Sequence, residues 1–251
     1  MTSPAARHMM RVSASETARR AAVPLRNATV YEQMLVKLAA DNRTLKQIRS
    51  NERKADKKRE LLPFYLPWVA GVLANGKGAQ DDIVMTVMLW RLDADDIAGA
   101  LEIARYALTY GLTMPTGRRP TPYLLAEEVA LAAQRLRSAK QPVELANLLD
   151  TLALTERADM PDIVRAKLHK ITGYVLRDAE QLPEALAHLQ RAIQLESAIG
   201  VRKDIEQLER QLRPKPEPAP KTKTTKPRTR KPAAKPAARR GRPPKAVKAA
   251  G

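Results

Sequence analysis

The sequence predicts an all-α fold: helical hairpins, partly tetratricopeptide-like, with a long N-terminal helix and a disordered basic C-terminal tail. Three observations predict it. Apolar residues make up 44% of the 251, but only 2 Trp, 6 Tyr and 1 Phe are aromatic, so the core must come from Leu, Ala, Val, Ile and Met. Those types favour helix packing and supply few of the runs that sheets use. Apolar residues also recur at steps of three and four, the spacing of one helix face. Finally, the stretch from Pro214 is dominated by Pro, Lys, Ala and Thr and carries no apolar periodicity.

Residues 1–28 are small, polar and basic, with room for one short helix over 5–22. Thr29 can cap a long helix from Val30. Its seam is Tyr31, Met34, Leu38, Leu45 and Ile48, with Asp41 breaking the series. Helix-forming residues continue through Arg49, Arg53, Lys54, Lys57, Lys58 and Arg59. Pro63 and Pro67 bracket Phe64, Tyr65 and Leu66 ahead of Trp68, an aromatic cluster expected to turn the chain onto the core. Gly76, Lys77 and Gly78 predict a loop, and Asp81 or Asp82 a cap for a helix over 83–92. After Asp93, Asp95 and Asp96 comes a helix over 97–110 ending at Gly111.

Further helices are expected over 122–139, 142–154, from Pro161 to Arg177, 183–199 and 201–212. An internal echo sits inside this series. Asp93-Ala94, Ala100-Leu101 and Ala107-Leu108 recur as Asp178-Ala179, Ala185-Leu186 and Ala192-Ile193, 85 residues later. The pattern resembles a tetratricopeptide hairpin, but a solenoid needs three or more units at a period of about 34 residues. Paired hairpins and two chance-similar Ala/Leu helices both fit.

The tail cannot bury enough surface to offset the entropy of ordering it. It also holds most of the charge. Residues 213–251 carry 14 Lys and Arg against Glu217, a net +13 of the chain's +18. Such a surplus calls for a polyanionic partner. Within it, Arg239-Arg240-Gly241-Arg242-Pro243-Pro244-Lys245 resembles an AT-hook, whose glycine lets arginines enter the narrow minor groove. A generic polycation neutralising phosphates is the other reading, and both bind DNA.

Arg7, Arg11, Arg19 and Arg20 give the N-terminus a basic character, and no apolar signal-peptide run accompanies them. The run from Arg49 to Arg59 is a second candidate DNA contact. Glu52, Asp56 and Glu60 interleave with it, so a solvated face of i,i+4 ion pairs is the alternative. Zero cysteines exclude disulfides, thiol nucleophiles and thiolate zinc sites, and His8, His169 and His188 show no ligand spacing. No apolar stretch reaches membrane-spanning length.

Two enzymatic readings arise. Gly71-Val72-Leu73-Ala74-Asn75-Gly76-Lys77-Gly78 follows a phosphate-binding loop until Gly78 stands where Ser or Thr must hold Mg²⁺. Asp81, Asp82, Asp93, Asp95 and Asp96, if gathered together, could hold Mg²⁺ for phosphodiester hydrolysis. Each pair reads more simply as helix caps. The reading from the residues alone is therefore a DNA-binding protein with no resident cofactor or metal.

Several stretches carry a family resemblance. They include Thr29-Val30-Tyr31-Glu32-Gln33-Met34-Leu35, Lys58-Arg59-Glu60-Leu61-Leu62-Pro63 and Gly76-Lys77-Gly78-Ala79-Gln80-Asp81-Asp82. Trp90-Arg91-Leu92-Asp93, Asp96-Ile97-Ala98-Gly99-Ala100-Leu101 and Ala158-Asp159-Met160-Pro161 join them. The chain resembles the small terminase subunit of peduoviruses, temperate tailed phages with cohesive-end genomes. The likeness runs through nearly all of residues 1–212 and is weakest over 135–157 and in the tail.

That resemblance implies a role in genome packaging within the host bacterial cytoplasm. Such subunits bind the packaging site on concatemeric double-stranded viral DNA as homo-oligomers, typically rings. They recruit the large terminase subunit, whose ATPase drives DNA through the portal into the procapsid. The family is also labelled the endonuclease subunit, a label that can describe the holoenzyme. On this reading residues 1–62 form a basic DNA-recognition segment, 63–212 an oligomerising helical domain and 213–251 the basic tail. A metal-dependent nuclease and a helical-repeat adaptor with a DNA-anchoring tail are the alternatives.

Overall fold

A computed structural model describes residues 3–19, 29–115, 117 and 119–213, and among them every regular element is a helix. The tail, with its expected disorder, Arg20 and the AT-hook-like residues lie outside the described residues. The ten helices of the described residues are α1 (Pro4–Arg19), α2 (Thr29–Gln47), α3 (Asn51–Asn75), α4 (Asp82–Asp93) and α5 (Ile97–Tyr110), then α6 (Thr121–Ser138), α7 (Leu145–Thr155), α8 (Asp162–Asp178), α9 (Leu182–Leu195) and α10 (Arg202–Leu212).

From α2 onward each helix packs against its successor in sequence, and α1 lies across α3. One core runs from Ala14 to Val175, and a smaller one gathers Leu176, Ala185, Leu189, Val201 and Leu208 under α8, α9 and α10.

The long N-terminal helix is two helices. Residues 48–50 are not helical, and the Ser50 hydroxyl accepts from the Arg53 N–H at 3.3 Å to cap α3. Helix formers on both sides hide this break in the sequence, but a serine cap offers the backbone another partner. The second difference runs the other way. Pro63 and Pro67 do not turn the chain, since both lie inside the continuous α3. Each proline costs a helix about 3 kcal/mol. The opposite face buries Leu62, Tyr65, Trp68, Val69 and Val72, large side chains worth roughly 1.5–3 kcal/mol each. Burial wins. The helix passes unbroken through residues 62 and 63, so the boundary there divides expected roles within one helix.

Asp41, read as a break in the α2 seam, is a buried anchor. It accepts from the Tyr65 hydroxyl at 2.6 Å and from Lys37 Nζ at 2.8 Å, fastening α2 to α3. Burial, and then the Asp41 bond and charge, raise the Tyr65 phenol above its usual range. α1 approaches α3 at Gly71, where an added Cβ would stand 2.5 Å from the Arg11 carbonyl and 2.9 Å from Ala14 Cβ.

Three helices end alike. After Ala94, Ala139 and Ala179 the next residue is left-handed: Asp95 at φ 66°, Lys140 at 57° and Glu180 at 61°. In each case the following N–H returns to a carbonyl five residues back: Asp96 to Arg91, Gln141 to Leu136 and Gln181 to Leu176. That is the Schellman arrangement, made without glycine. The echoed positions Asp93-Ala94 and Asp178-Ala179 are therefore the ends of α4 and α8, each reversing into a helix that packs back through alanines. Pro161 sits just before α8, as its N-cap rather than in its first turn.

Candidate nucleic-acid interface

The corner between α2 and α3 is built from its apolar side outward. Leu45 is buried, Ile48 packs on the same core, and the Asp41–Tyr65 bond holds the two helices. This arrangement leaves Arg43, Lys46, Arg49 and Arg53 exposed, with Lys54 half-buried beside them. Among the described residues none of these five forms an ion pair, and Glu52 is the one acid interspersed. Sequence reasoning misses Arg43 and Lys46 because they precede the basic run. Their signal is the three-residue step Arg43, Lys46, Arg49 that leads into it.

The rest of the basic run is ion-paired, partly along the exposed face of α3 and partly across to the end of α4. Lys58 pairs with Asp93, Lys57 with Glu60 at 2.7 Å, and Arg59 with Asp56 at 2.7 Å and Asp95 at 3.2 Å. Arg135 of α6 reaches the same Asp95 at 3.0 Å and the Leu92 carbonyl at 2.8 Å, while Arg59 donates to the Ala94 carbonyl. Two guanidinium groups thus cover the negative end of α4, where cations are favoured. Asp56, Lys58, Arg59, Asp93, Asp95 and Arg135 line a cleft of about 680 Å³ between α3, the α4–α5 turn and α6, together with Lys54.

The candidate acids are not brought together. Asp81 and Asp82 stand at the start of α4, while Asp93, Asp95 and Asp96 lie at or just past its end. That separation is about 17 Å at 1.5 Å per residue, too far for the two groups to ligate metal ions about 4 Å apart. Four of the five, all but Asp82, have other work. Asp81 is the buried N-cap of α4, accepting from the Ile83 and Val84 N–H groups at 2.9 and 3.0 Å and from the Trp68 indole at 2.8 Å. Burial outweighs those bonds and pushes its carboxyl up to about 6. Asp96 caps α5 through the Gly99 N–H at 2.9 Å and pairs with Arg91 at 3.0 Å. Asp93 and Asp95 begin no helix, contrary to the expected cap role; they hold Lys58, Arg59 and Arg135 instead. Among the described residues no group of three or more His, Asp or Glu could hold a metal ion.

The phosphate-loop look-alike is equally occupied. Gly71 lies within α3 beneath α1, and the Gly76 N–H donates to the Val72 carbonyl at 2.7 Å. The Gly78 N–H donates to the Tyr106 hydroxyl at 2.9 Å, and Gly78 lies against the Tyr110 ring. His169 and His188, distant in sequence, meet between α8 and α9 with their Nδ1 atoms 3.0 Å apart. Burial first, then His188, Arg191 and Arg165, holds the His169 ring down at about 4.

On α1, Arg7 and Arg11 are exposed, and Arg7 borders a groove with Lys37, Glu60 and Phe64. Arg19 closes the helix. Arg20, Arg239, Arg240, Arg242 and Lys245 lie outside the described residues.

Residues 35–163 match the family model of the phage small terminase subunit, just over half of the chain. The chain belongs to that family. It is 68% identical to "Terminase, endonuclease subunit" of Escherichia phage P2 over 98% of this chain and 99% of that one. It is also 27% identical to "Probable terminase, endonuclease subunit" of Haemophilus phage HP1, covering 70% of this chain and 68% of the relative. No solved structure matches. The region matched to the small-subunit family starts within α2 and ends at the beginning of α8, so it contains the whole α2–α3 corner and the ion-paired cleft. Among the described residues no helix is long and apolar enough to cross a membrane.

Proposed function

We propose that this chain is the DNA-recognising subunit of a phage terminase, binding the packaging site of concatemeric viral DNA and engaging the large subunit. The observation that carries this reading is the unequal fate of its cations. Five at the α2–α3 corner have no ion pair among the described residues, whereas those of the adjoining turns are neutralised within the fold. Cations left without an ion pair at this corner suit a phosphate backbone. Arg7, Arg11 and the basic tail add further contacts, the tail supplying affinity with little sequence information.

The protein acts in the host bacterial cytoplasm as a homo-oligomer, with the portal and procapsid reached through the large subunit. A nuclease centre in this chain is the second reading, favoured by the relatives' names. The separation and engagement of the candidate acids argue that cutting belongs to the assembled complex.

The experiment is a titration of purified chain against a cohesive-end duplex and a scrambled duplex of equal length at several salt concentrations, with Mg²⁺ included in parallel. Saturable preference for the cohesive end without nicking is expected. Equal binding of both duplexes would remove the recognition role, and nicking by the isolated chain would establish the second reading.

A further inference from the structure

We infer that the cleft between α6, α8 and the α9–α10 connection is the docking site for an acidic, apolar-anchored segment of the large terminase subunit. This rests on the reading above for the identity of the partner, and on the cleft itself for the chemistry.

The cleft holds about 250 Å³. Leu131 and Ile199 contribute apolar walls, and Leu131 is 38% exposed, a large apolar side chain left open to water. Arg137, Lys167 and Lys170 line it as well, and no carboxylate does. Two of these cations are held in place rather than free to swing. Arg137 makes two bonds to Asp178, at 2.6 and 3.1 Å, and Lys170 donates to the Ile199 carbonyl at 2.7 Å. Tyr174 sits between them, with the Arg137 guanidinium 5.0 Å and the Lys170 ammonium 5.9 Å from its ring centre. The Tyr174 hydroxyl is bound to Asp204 at 3.1 Å, which fixes the ring in turn. Lys167 forms no ion pair among the described residues.

Two ammonium groups without an ion pair among the described residues, Lys167 and the preset Lys170, stand beside an Arg137 already satisfied by Asp178, and with the apolar wall they define the ligand. A carboxylate satisfies Lys167, and a leucine-sized side chain beside it covers Leu131 and Ile199. A DNA backbone supplies the charge but nothing to fill an apolar recess, so this cleft differs in kind from the α2–α3 corner. This chain's own tail is cationic, the wrong sign of charge for such a cleft. Ordered cations lose little freedom on binding, which favours a specific partner over a diffuse one.

The test uses full-length chain and full-length large subunit. Carbodiimide coupling, which joins carboxylates to amines in direct contact, is followed by peptide mapping. Affinity for the large subunit and for the cohesive-end duplex is measured for wild type, Lys167→Glu and Leu131→Glu. Expected are cross-links from Lys167 or Lys170 to acids of the large subunit. Each variant should lose at least tenfold in large-subunit affinity while DNA affinity stays within twofold. Because Leu131 and Lys167 are not in the buried core, unchanged circular dichroism melts should accompany the loss. Wild-type affinity for the large subunit in both variants would overturn the cleft assignment and leave the proposed function standing. Loss of DNA affinity with the large-subunit complex intact would make it a phosphate site instead. No complex even with wild type would overturn both.

Discussion

The indole N–H of Trp68 donates to the Asp81 carboxylate at 2.8 Å, and that one bond ties the last third of α3 to the first turn of α4. The second Asp81 oxygen accepts from the Ile83 and Val84 N–H groups. Replacing Asp81 by alanine therefore removes a cap, worth about 1 kcal/mol, and leaves a buried indole N–H unpartnered, at roughly 1–3 kcal/mol. Asp81→Ala should lower stability by about 3 kcal/mol in total, read by denaturant unfolding. Asp82→Ala should cost less than about 1 kcal/mol, because its carboxylate meets only the exposed Gln80 amide among the described residues. Lost activity in an Asp81 variant would consequently report on folding; only Asp82 offers a fair probe of catalysis at this end of α4.

At the α2–α3 corner, Arg49→Ala with Arg53→Ala should weaken binding to every duplex alike. The slope of log affinity against log salt should shrink by about 2, since each neutralised phosphate given up subtracts near 0.9. Lys58→Ala with Arg59→Ala should do the reverse, lowering the melting temperature and leaving that slope in place. A shared response from the two pairs would mean that the ion pairs at Asp93 and Asp95 open on DNA.

Gly71→Ala tests how α1 is held. The atom nearest the new methyl is the Arg11 carbonyl oxygen, which is backbone and cannot swing aside. α1 should lift from α3 at a cost of about 1–3 kcal/mol, despite the better helix propensity of alanine. Trypsin should then cut at Arg7 and Arg11 faster than in the parent chain.

The His169–His188 contact gives a pH signature. Both rings titrate below the ordinary histidine value of 6.5, His169 at about 4. A folded-state value below the unfolded one means that the unfolded chain takes up the proton first. The stability contributed by the neutral pair is complete above pH 6.5 and drains away as pH falls toward 4. Arg165 and Arg191 face the pair and add to the penalty for a charged ring. Melting temperatures of wild type should drop across that window more steeply than those of a His169→Gln, His188→Gln double variant. Parallel curves would show that the pair does not set the dependence.

Local signals in the sequence are enough for the helices and several of their ends. Gly111 stops α5, Asp81 and Asp96 cap α4 and α5, and all three act within four residues of themselves. What escapes are partnerships across long stretches of chain. Asp41 looks like a fault in a seam until Tyr65, 24 residues on, is set against it. Lys58 looks free until Asp93, 35 residues away, neutralises it. The prolines of α3 mislead for the same reason, because propensity is local and the burial of Tyr65 and Trp68 that overrides it is not. The basic character of the candidate interface is thus legible, whereas the division between spare and committed cations needs three dimensions.

The left-handed residues at the ends of α4, α6 and α8 are not equally replaceable. Each holds a conformation that costs an L-residue about 1–2 kcal/mol. Asp95 returns that cost through the two arginines on its carboxylate. Lys140 and Glu180 form no ion pair among the described residues, so a glycine at either should toughen the protein by roughly 0.5–1 kcal/mol after its own entropy penalty. A selection for heat-hardy phage would be expected to find those two positions and to leave Asp95 alone.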